Sequence, residues 1–337
     1  MFFPVIFGGC FRQFTAMTLS QPLEWHKFVY GGSIWVGAGF ATGLGGGPYY
    51  HALASSSDHI NWTEATSGPL ASALSGKNIT SLAHNGTIFC ALLQGASTTY
   101  TAPDGTTWTE NATGVLPLGD DTHGSGLIAI GGTFYAVVQT DSINYFRSST
   151  NGAAWTQRSL FPSSTGTYRG MASDGTTVVA VNDTGYIVYS TVADSLTSTW
   201  SAATGEPVSS YRQVIHNGTA YIAVGDPGED GAKSLDGGAT WSAITLPTNY
   251  GGTLITPDGI YGNLAALTNG MIMLPAYYLT GNAAGSYTYF SCDNGENWTL
   301  GTLPSSHYWQ GSGSDGSIFV GGANDFNGGS TAGYYSS

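Results

Sequence analysis

Tyr168-Arg169 and Tyr211-Arg212 are one dipeptide written twice, 43 residues apart, and each copy stands six residues ahead of a small polar turn. Counting back six residues from the turns that begin at Gly31, Asn85, Gly131, Asp174, Asn217, Asn269 and Asp315 gives Trp25, Ile79, Ser125, Tyr168, Tyr211, Asn263 and Trp309. One residue later come His26, Thr80, Gly126, Arg169, Arg212, Leu264 and Gln310. Carbohydrate recognition uses this set of groups: aromatic rings stack on the apolar C–H faces of a sugar, while guanidinium and amide donors bond its hydroxyls or a carboxylate. Trp25, Tyr168, Arg169, Tyr211, Arg212, Trp309 and Gln310 are therefore the candidate ligand-binding residues. A second reading stays open at the same positions. Aromatics at strand starts also pack between neighbouring structural units, and an arginine beside them can pair with a loop carboxylate.

Polar loop residues add to the candidate list: Asp120, Asp121 and His123; Asp141; Asp183; Asp226, Glu229 and Asp230; Asn324 and Asp325; and the pair Tyr277-Tyr278. Carboxylates facing each other across a cleft could perform acid/base work on a glycosidic bond. They could equally hold calcium, which takes oxygen ligands, or be solvated turn residues. No catalytic, metal or cofactor-binding residue is assigned on this pattern; calcium is the one ion whose chemistry it would suit.

The elements that position these groups are read from the turns. Runs rich in β-formers are broken at intervals of 54, 46, 43, 43, 52 and 46 residues, and no window shows a helical stripe. A period of 40 to 50 with several strands per unit is the signature of a β-propeller, so seven turns predict seven blades. Taking blade five as template, its four strands are expected at 212–217, 219–224, 232–235 and from Trp241. Alternate connections then fall on opposite faces, and the longer loops gather on the face where the innermost strands begin. The expected fold is all-β, a seven-bladed propeller of four-stranded antiparallel blades. Residues 1–20 form an N-terminal segment and 21–337 the propeller; Met1–Phe7 supplies the missing fourth strand of the last blade, closing the ring, or else serves as an anchoring arm.

A second repeat runs out of phase with the first. SLDGGATW at 234–241 and SCDNGENW at 291–298 share the frame Ser-x-Asp-x-Gly-x-x-Trp, with weaker copies at 101–108, 148–155 and 55–62 and a distorted one ending at Trp200. This frame resembles the Asp-box, or bacterial neuraminidase repeat, of sialidase-like propellers. Physically it is a self-capping hairpin: Asp and Gly make the turn, the carboxylate accepts loop N–H groups, and the Trp covers it. In the sialidases of that family three arginines hold the substrate carboxylate, beside a Tyr/Glu pair and an Asp acid/base. Here only Arg169 and Arg212 among Arg12, Arg147, Arg158, Arg169 and Arg212 fall at the required level, and the Arg-Ile-Pro motif is absent. The catalytic set does not carry over. The related photosynthetic assembly-factor propellers rely on an arginine-rich patch that this chain also lacks.

Composition narrows the partners. A net charge of −13, with Lys only at 27, 77 and 233, argues against nucleic acid and toward a neutral or positively patterned ligand. No stretch is long enough to span a membrane, and FGGC at 7–10 lacks the basic region of a lipoprotein signal. Cys10, Cys90 and Cys292 show no metal spacing and are expected to be small buried hydrophobes. Seven Asn-x-Ser/Thr sequons, at Asn61, Asn78, Asn85, Asn111, Asn182, Asn217 and Asn297, read as turn chemistry rather than glycosylation. Scarce Lys with abundant Gly, Ser, Thr, Asn and Tyr resembles bacteriophage tail or virion-surface proteins. That resemblance implies a virion or extracellular location, contact with other virion proteins through the N-terminal segment, and non-catalytic recognition of a host-surface glycan. A glycoside hydrolase acting on a cell-surface polysaccharide and a purely architectural decoration or baseplate protein are the alternatives.

Overall fold

The computed structural model describes residues 5–7, 10–12, 14–43, 47–65, 79–93, 98–112, 126–140, 143–162, 166–192, 199–225, 231–247, 249–250, 253–254, 263–275, 287–303, 308–324 and 330–336. Seven four-stranded antiparallel blades form a ring. Their innermost strands are the second half of Phe14–Gly31, then Ile79–His84, Leu127–Ile130, Tyr168–Ser173, Tyr211–His216, Ala265–Ala266 and Tyr308–Ser314, each lying beside the next around the channel. The blade-five template holds to within a residue or two, with strands Tyr211–His216, Tyr221–Gly225, Gly231–Ser234 and Ser242–Ile244. Among the described residues no helix is long and apolar enough to cross a membrane.

Because a blade stands radially, its side chains point at the neighbouring blades, and the core is divided accordingly. The described buried apolar residues fall into seven clusters, one at each blade–blade interface.

Ring closure differs in detail from the expectation. The 18-residue strand Phe14–Gly31 serves two blades. Its first part pairs with the last strand, Phe14 opposite Ser336 and Thr18 opposite Ala332, making the fourth strand of blade seven; from Glu24 it pairs with Ile34–Gly43 as the innermost strand of blade one. Val5–Phe7 pairs instead with Cys10–Arg12, next to strand Thr299–Thr302 of blade six. The closing strand thus begins later in the chain than Met1–Phe7, at Phe14.

One face of the disc carries tight turns. All seven turns between first and second strands place a glycine at positive φ, for example 95° at Gly218, where any other residue would be strained. The hairpins between third and fourth strands cap themselves alike in five blades. The indole N–H of Trp62, Trp108, Trp155, Trp241 and Trp298 donates to the carbonyl three residues back, at 2.9–3.2 Å. Asp58, Asp104, Asn151, Asp236 and Asp293 accept the following backbone N–H groups. Donation from Asn61 holds the Asp58 carboxyl far below its ordinary range. At Asp104 partial burial works upward, yet the Thr107 and Thr106 donors outweigh it and bring the carboxyl down to about 2.

The same face is stitched from blade to blade. The Asn85 amide donates to the Gly132 and Thr150 carbonyls at 2.8 and 3.1 Å, and the Asn217 amide to the Gly270 carbonyl at 2.9 Å. Both asparagines are buried, which accounts for their sequons as turn chemistry. Asn61 and Asn297 likewise donate within their own hairpins, to Asp58 and Asp293. Cys90 is a buried free thiol, as expected, whereas Cys292 is disulfide-bonded and not a simple buried hydrophobe.

Candidate functional site

At the opposite end the innermost strands depart from regular pairing. The register shifts between Trp25 and Lys27, Ile79 and Ser81, Tyr168 and Gly170, Tyr211 and Gln213, and Trp309 and Gly311. In five blades, therefore, one extra residue stands out of the ladder at the same level: His26, Thr80, Arg169, Arg212 and Gln310. A bulge re-aims its side chain and bends the strand, and bulges gather beside binding sites. These are the residues that follow the aromatic position in the sequence register.

The aromatic position itself points elsewhere. Trp25, Tyr168, Tyr211 and Trp309 are 0–2% exposed, each wedged against the preceding blade. Trp25 packs with Val320, Tyr168 with Tyr135, Tyr211 with Val179 and Trp309 with Met273, within the interface clusters. Tyr168 stacks on Phe161 at 4.3 Å and Trp309 meets Tyr334 edge-on at 4.9 Å. Of the two readings left open by the sequence, packing describes these four rings, because a radial blade turns its side chains toward its neighbours.

The bulged residues stand in a polar belt. Arg169 donates to Asp183 Oδ2 from Nε at 3.0 Å and Nη2 at 2.7 Å, and Asp183 also accepts the Thr167 N–H at 2.8 Å. Among the described residues, Asp183 is the loop carboxylate, of those considered above, that pairs with a candidate residue. The His26 ring Nε2 lies 2.7 Å from the Ile79 carbonyl oxygen. Asn263, the position in blade six with no aromatic, donates to the His26 carbonyl, while its own carbonyl accepts the Ser312 hydroxyl. Gln213 accepts the Leu264 N–H at 2.7 Å and donates to the Asn263 side chain. The belt thus links blades five, six, seven, one and two; Asn263 and Gln213 are members that the aromatic-centred reading passed over. Arg212 is half-buried on its bulge. Asp120, Asp121, His123, Asp141, Asp226, Glu229, Asp230, Asp325, Tyr277 and Tyr278 lie outside the described residues, and Gln310 and Asn324 are placed by backbone position alone.

Between the belt and the tight-turn face the channel holds a cavity of about 500 Å³. Its walls include Ile128, Ile130, Met171, Ile215 and Leu264, and it reaches Gly131, Gly175 and His216 at the turns. Burial lowers the pKa of His216, partly opposed by Asp174, and burial also lowers that of His84. From Glu24 round to Ser314 the described innermost strands carry Glu24, Lys27, Arg169, Arg212, His26, His84 and His216, with Arg169 paired to Asp183, in a chain of net charge −13. No group of metal-ligating side chains occurs among the described residues.

Residues 56–308 match the family of the DUF6242 beta propeller domain. No curated protein matches the sequence. Similar solved structures include a catalytically inactive virginiamycin B lyase from Staphylococcus aureus with quinupristin, at 11% identity and TM-score 0.69, covering 97% of this chain and 99% of that one. YCF48 from Cyanidioschyzon merolae aligns at 12% identity and TM-score 0.63, covering 96% and 98%. YCF48 bound to D1 peptide aligns at 14% and 0.59, covering 96% and 94%. At such identities the likeness is one of fold alone: the same disc serves a lyase and a peptide-binding protein.

Proposed function

The chain belongs to the DUF6242 beta-propeller domain family, and from that premise we propose that it is a non-catalytic recognition propeller that binds a host-surface glycan at the bulged mouth of its channel. The observation that carries this reading is the recurrence of the bulge, which sets His26, Thr80, Arg169, Arg212 and Gln310 at one level in five blades. A glycan bound there is held by hydrogen bonds and by its acidic groups, since the rings of Trp25, Tyr168, Tyr211 and Trp309 are committed to packing. The capped hairpins are read as Asp-boxes, whose shared Ser/Asp/Trp bonding is structural and lies away from this mouth. A virion or extracellular setting agrees with the disulfide at Cys292, because such bonds persist in oxidising surroundings. The hairpin Val5–Phe7 with Cys10–Arg12 is the segment proposed to meet another virion protein.

The test incubates immobilised protein with purified bacterial surface polysaccharide and scores retained carbohydrate and released reducing ends in the same tube. Retention without release, lost in Arg169→Ala with Arg212→Ala, is the expected result. Release of reducing ends would replace this reading with a glycoside hydrolase, and neither signal across the polysaccharides tried would leave an architectural part.

A further inference from the structure

Arg147 is 7% exposed, yet among the described residues it has neither a hydrogen-bond acceptor nor a carboxylate. Its guanidinium carbon stands 5.3 Å from the centroid of the Tyr145 ring, and its Nε is buried without a partner. Arg169, by contrast, is closed by Asp183 at 2.7 Å. Burial lowers the pKa of Arg147, with Tyr145 working the other way. A guanidinium stays charged in proteins, and a buried charge without a counter-charge is costly. A chain with 21 Asp and Glu has carboxylates to spare, so an orphaned guanidinium calls for a partner from outside.

The residues beside it give that partner a shape. Ile143, Tyr145 and Arg147 alternate along the third strand of blade three, Ile143–Ser149, and so share one face. Tyr145 pairs with Val138 and Arg147 with Ala136, both in the blade two–three cluster, so this face turns toward blade two. Leu160, on the outermost strand Thr156–Leu160, is opposite Tyr145. Ile143 is 40% and Leu160 47% exposed, and neither belongs to a blade–blade cluster, so both are open at the rim of the disc. From Arg147 to the level of Leu160 is one two-residue step of a strand, about 7 Å, the spacing of side chains on one face of an extended chain. Tyr145 holds one face of the guanidinium, which leaves its edge for the paired bonds a carboxylate makes. We propose that this rim of blade three docks an extended acidic segment of a partner protein, with an Asp or Glu carboxylate on the edge of the Arg147 guanidinium and a large apolar residue two positions away against Leu160 and Ile143. The surface lies at the outside of the disc and is independent of glycan binding at the channel mouth.

The experiment presents the full chain to an array of tethered hexapeptides of Ser and Thr, with Glu, Asp, Gln or Lys at the third position and Leu, Phe, Ser or Lys at the fifth, in both chain directions. Peptides pairing an acid with Leu or Phe are expected to be retained at least about tenfold better than those with Gln or Ser in the same places. Arg147→Met should abolish the preference for the acid, and Leu160→Ser the preference for the apolar residue. Because Arg147→Met replaces an unpartnered buried charge with an apolar side chain, its thermal unfolding midpoint should equal or exceed that of wild type. A marked fall would make the arginine a structural group and overturn the site; Leu160→Ser, at an exposed position, then still reads the peptide preference in a folded protein. Retention of no peptide by wild type, retention indifferent to Gln in place of the acid, or retention unchanged in both variants would also overturn the proposal. Retention that needs the acid and ignores the apolar residue would replace it with a bare anion site.

Discussion

The two ends of the innermost strands are made on different rules. At the turn end every unit has a glycine at positive φ; Asn85, Asp174, Asn217, Asn269 and Asp315 add an Asx-type bond in five of them, and the amides of Asn85 and Asn217 reach into the next blade. At the bulged end the geometry repeats but the residue does not, since His26, Thr80, Arg169, Arg212 and Gln310 hold one level with four different side-chain types. A position fixed by backbone strain or burial has few acceptable residues, whereas a bulged residue is free of the ladder and can be chosen for what it meets. Repetition in type thus marks the scaffold, whereas the bulged level, the proposed site, repeats in place and varies in type.

Substitutions can break or sharpen that contrast, and the strongest lie where blades interlock. Trp309→Ala removes a fully buried ring from the blade six–seven interface and should cost about 3–5 kcal/mol, read by denaturant unfolding. Gly152→Ala places a methyl 2.6 Å from the Thr101 Cγ2 at a φ of 69°, with an expected loss of about 3 kcal/mol. Asn217→Ala leaves the Gly270 carbonyl without its donor and should lower stability by about 2 kcal/mol.

Smaller effects follow from charge. The carboxyls of Asp58, Asp104, Asp236 and Asp293 are depressed in the folded state, so their stabilisation is present above the unfolded value of about 4 and is lost as pH falls toward their folded values. Acid unfolding should accordingly begin below about pH 4, and Asp236→Asn should flatten the slope there. The smallest stability effect is expected at the bulged mouth itself, where Arg212→Ala should stay within about 1 kcal/mol of wild type.

How far the sequence carried this picture depends on which constraint a residue answers. The turns were legible because Asn-Gly and Asp-Gly pairs announce their backbone requirement, and the hairpin tryptophans because their spacing from Asp is rigid. The bulges were not, since one extra residue changes no composition and a six-residue count cannot tell a regular strand from a shifted one. The count found the two columns and left the aromatic one open between a ligand and the neighbouring blade, against which its four rings pack. Asn263 and Gln213 were missed because they are polar residues without a repeating neighbour, and their link to His26 spans blades far apart in sequence.

The division between scaffold and site is tested most directly by carrying Arg212→Ala and Asn217→Ala through two readouts together, thermal unfolding and retention of bacterial surface polysaccharide. Arg212→Ala should unfold close to wild type yet lose retention, while Asn217→Ala should unfold earlier and, at temperatures where it is folded, retain polysaccharide as wild type does. Wild-type retention by Arg212→Ala, or loss of retention by folded Asn217→Ala, would contradict it.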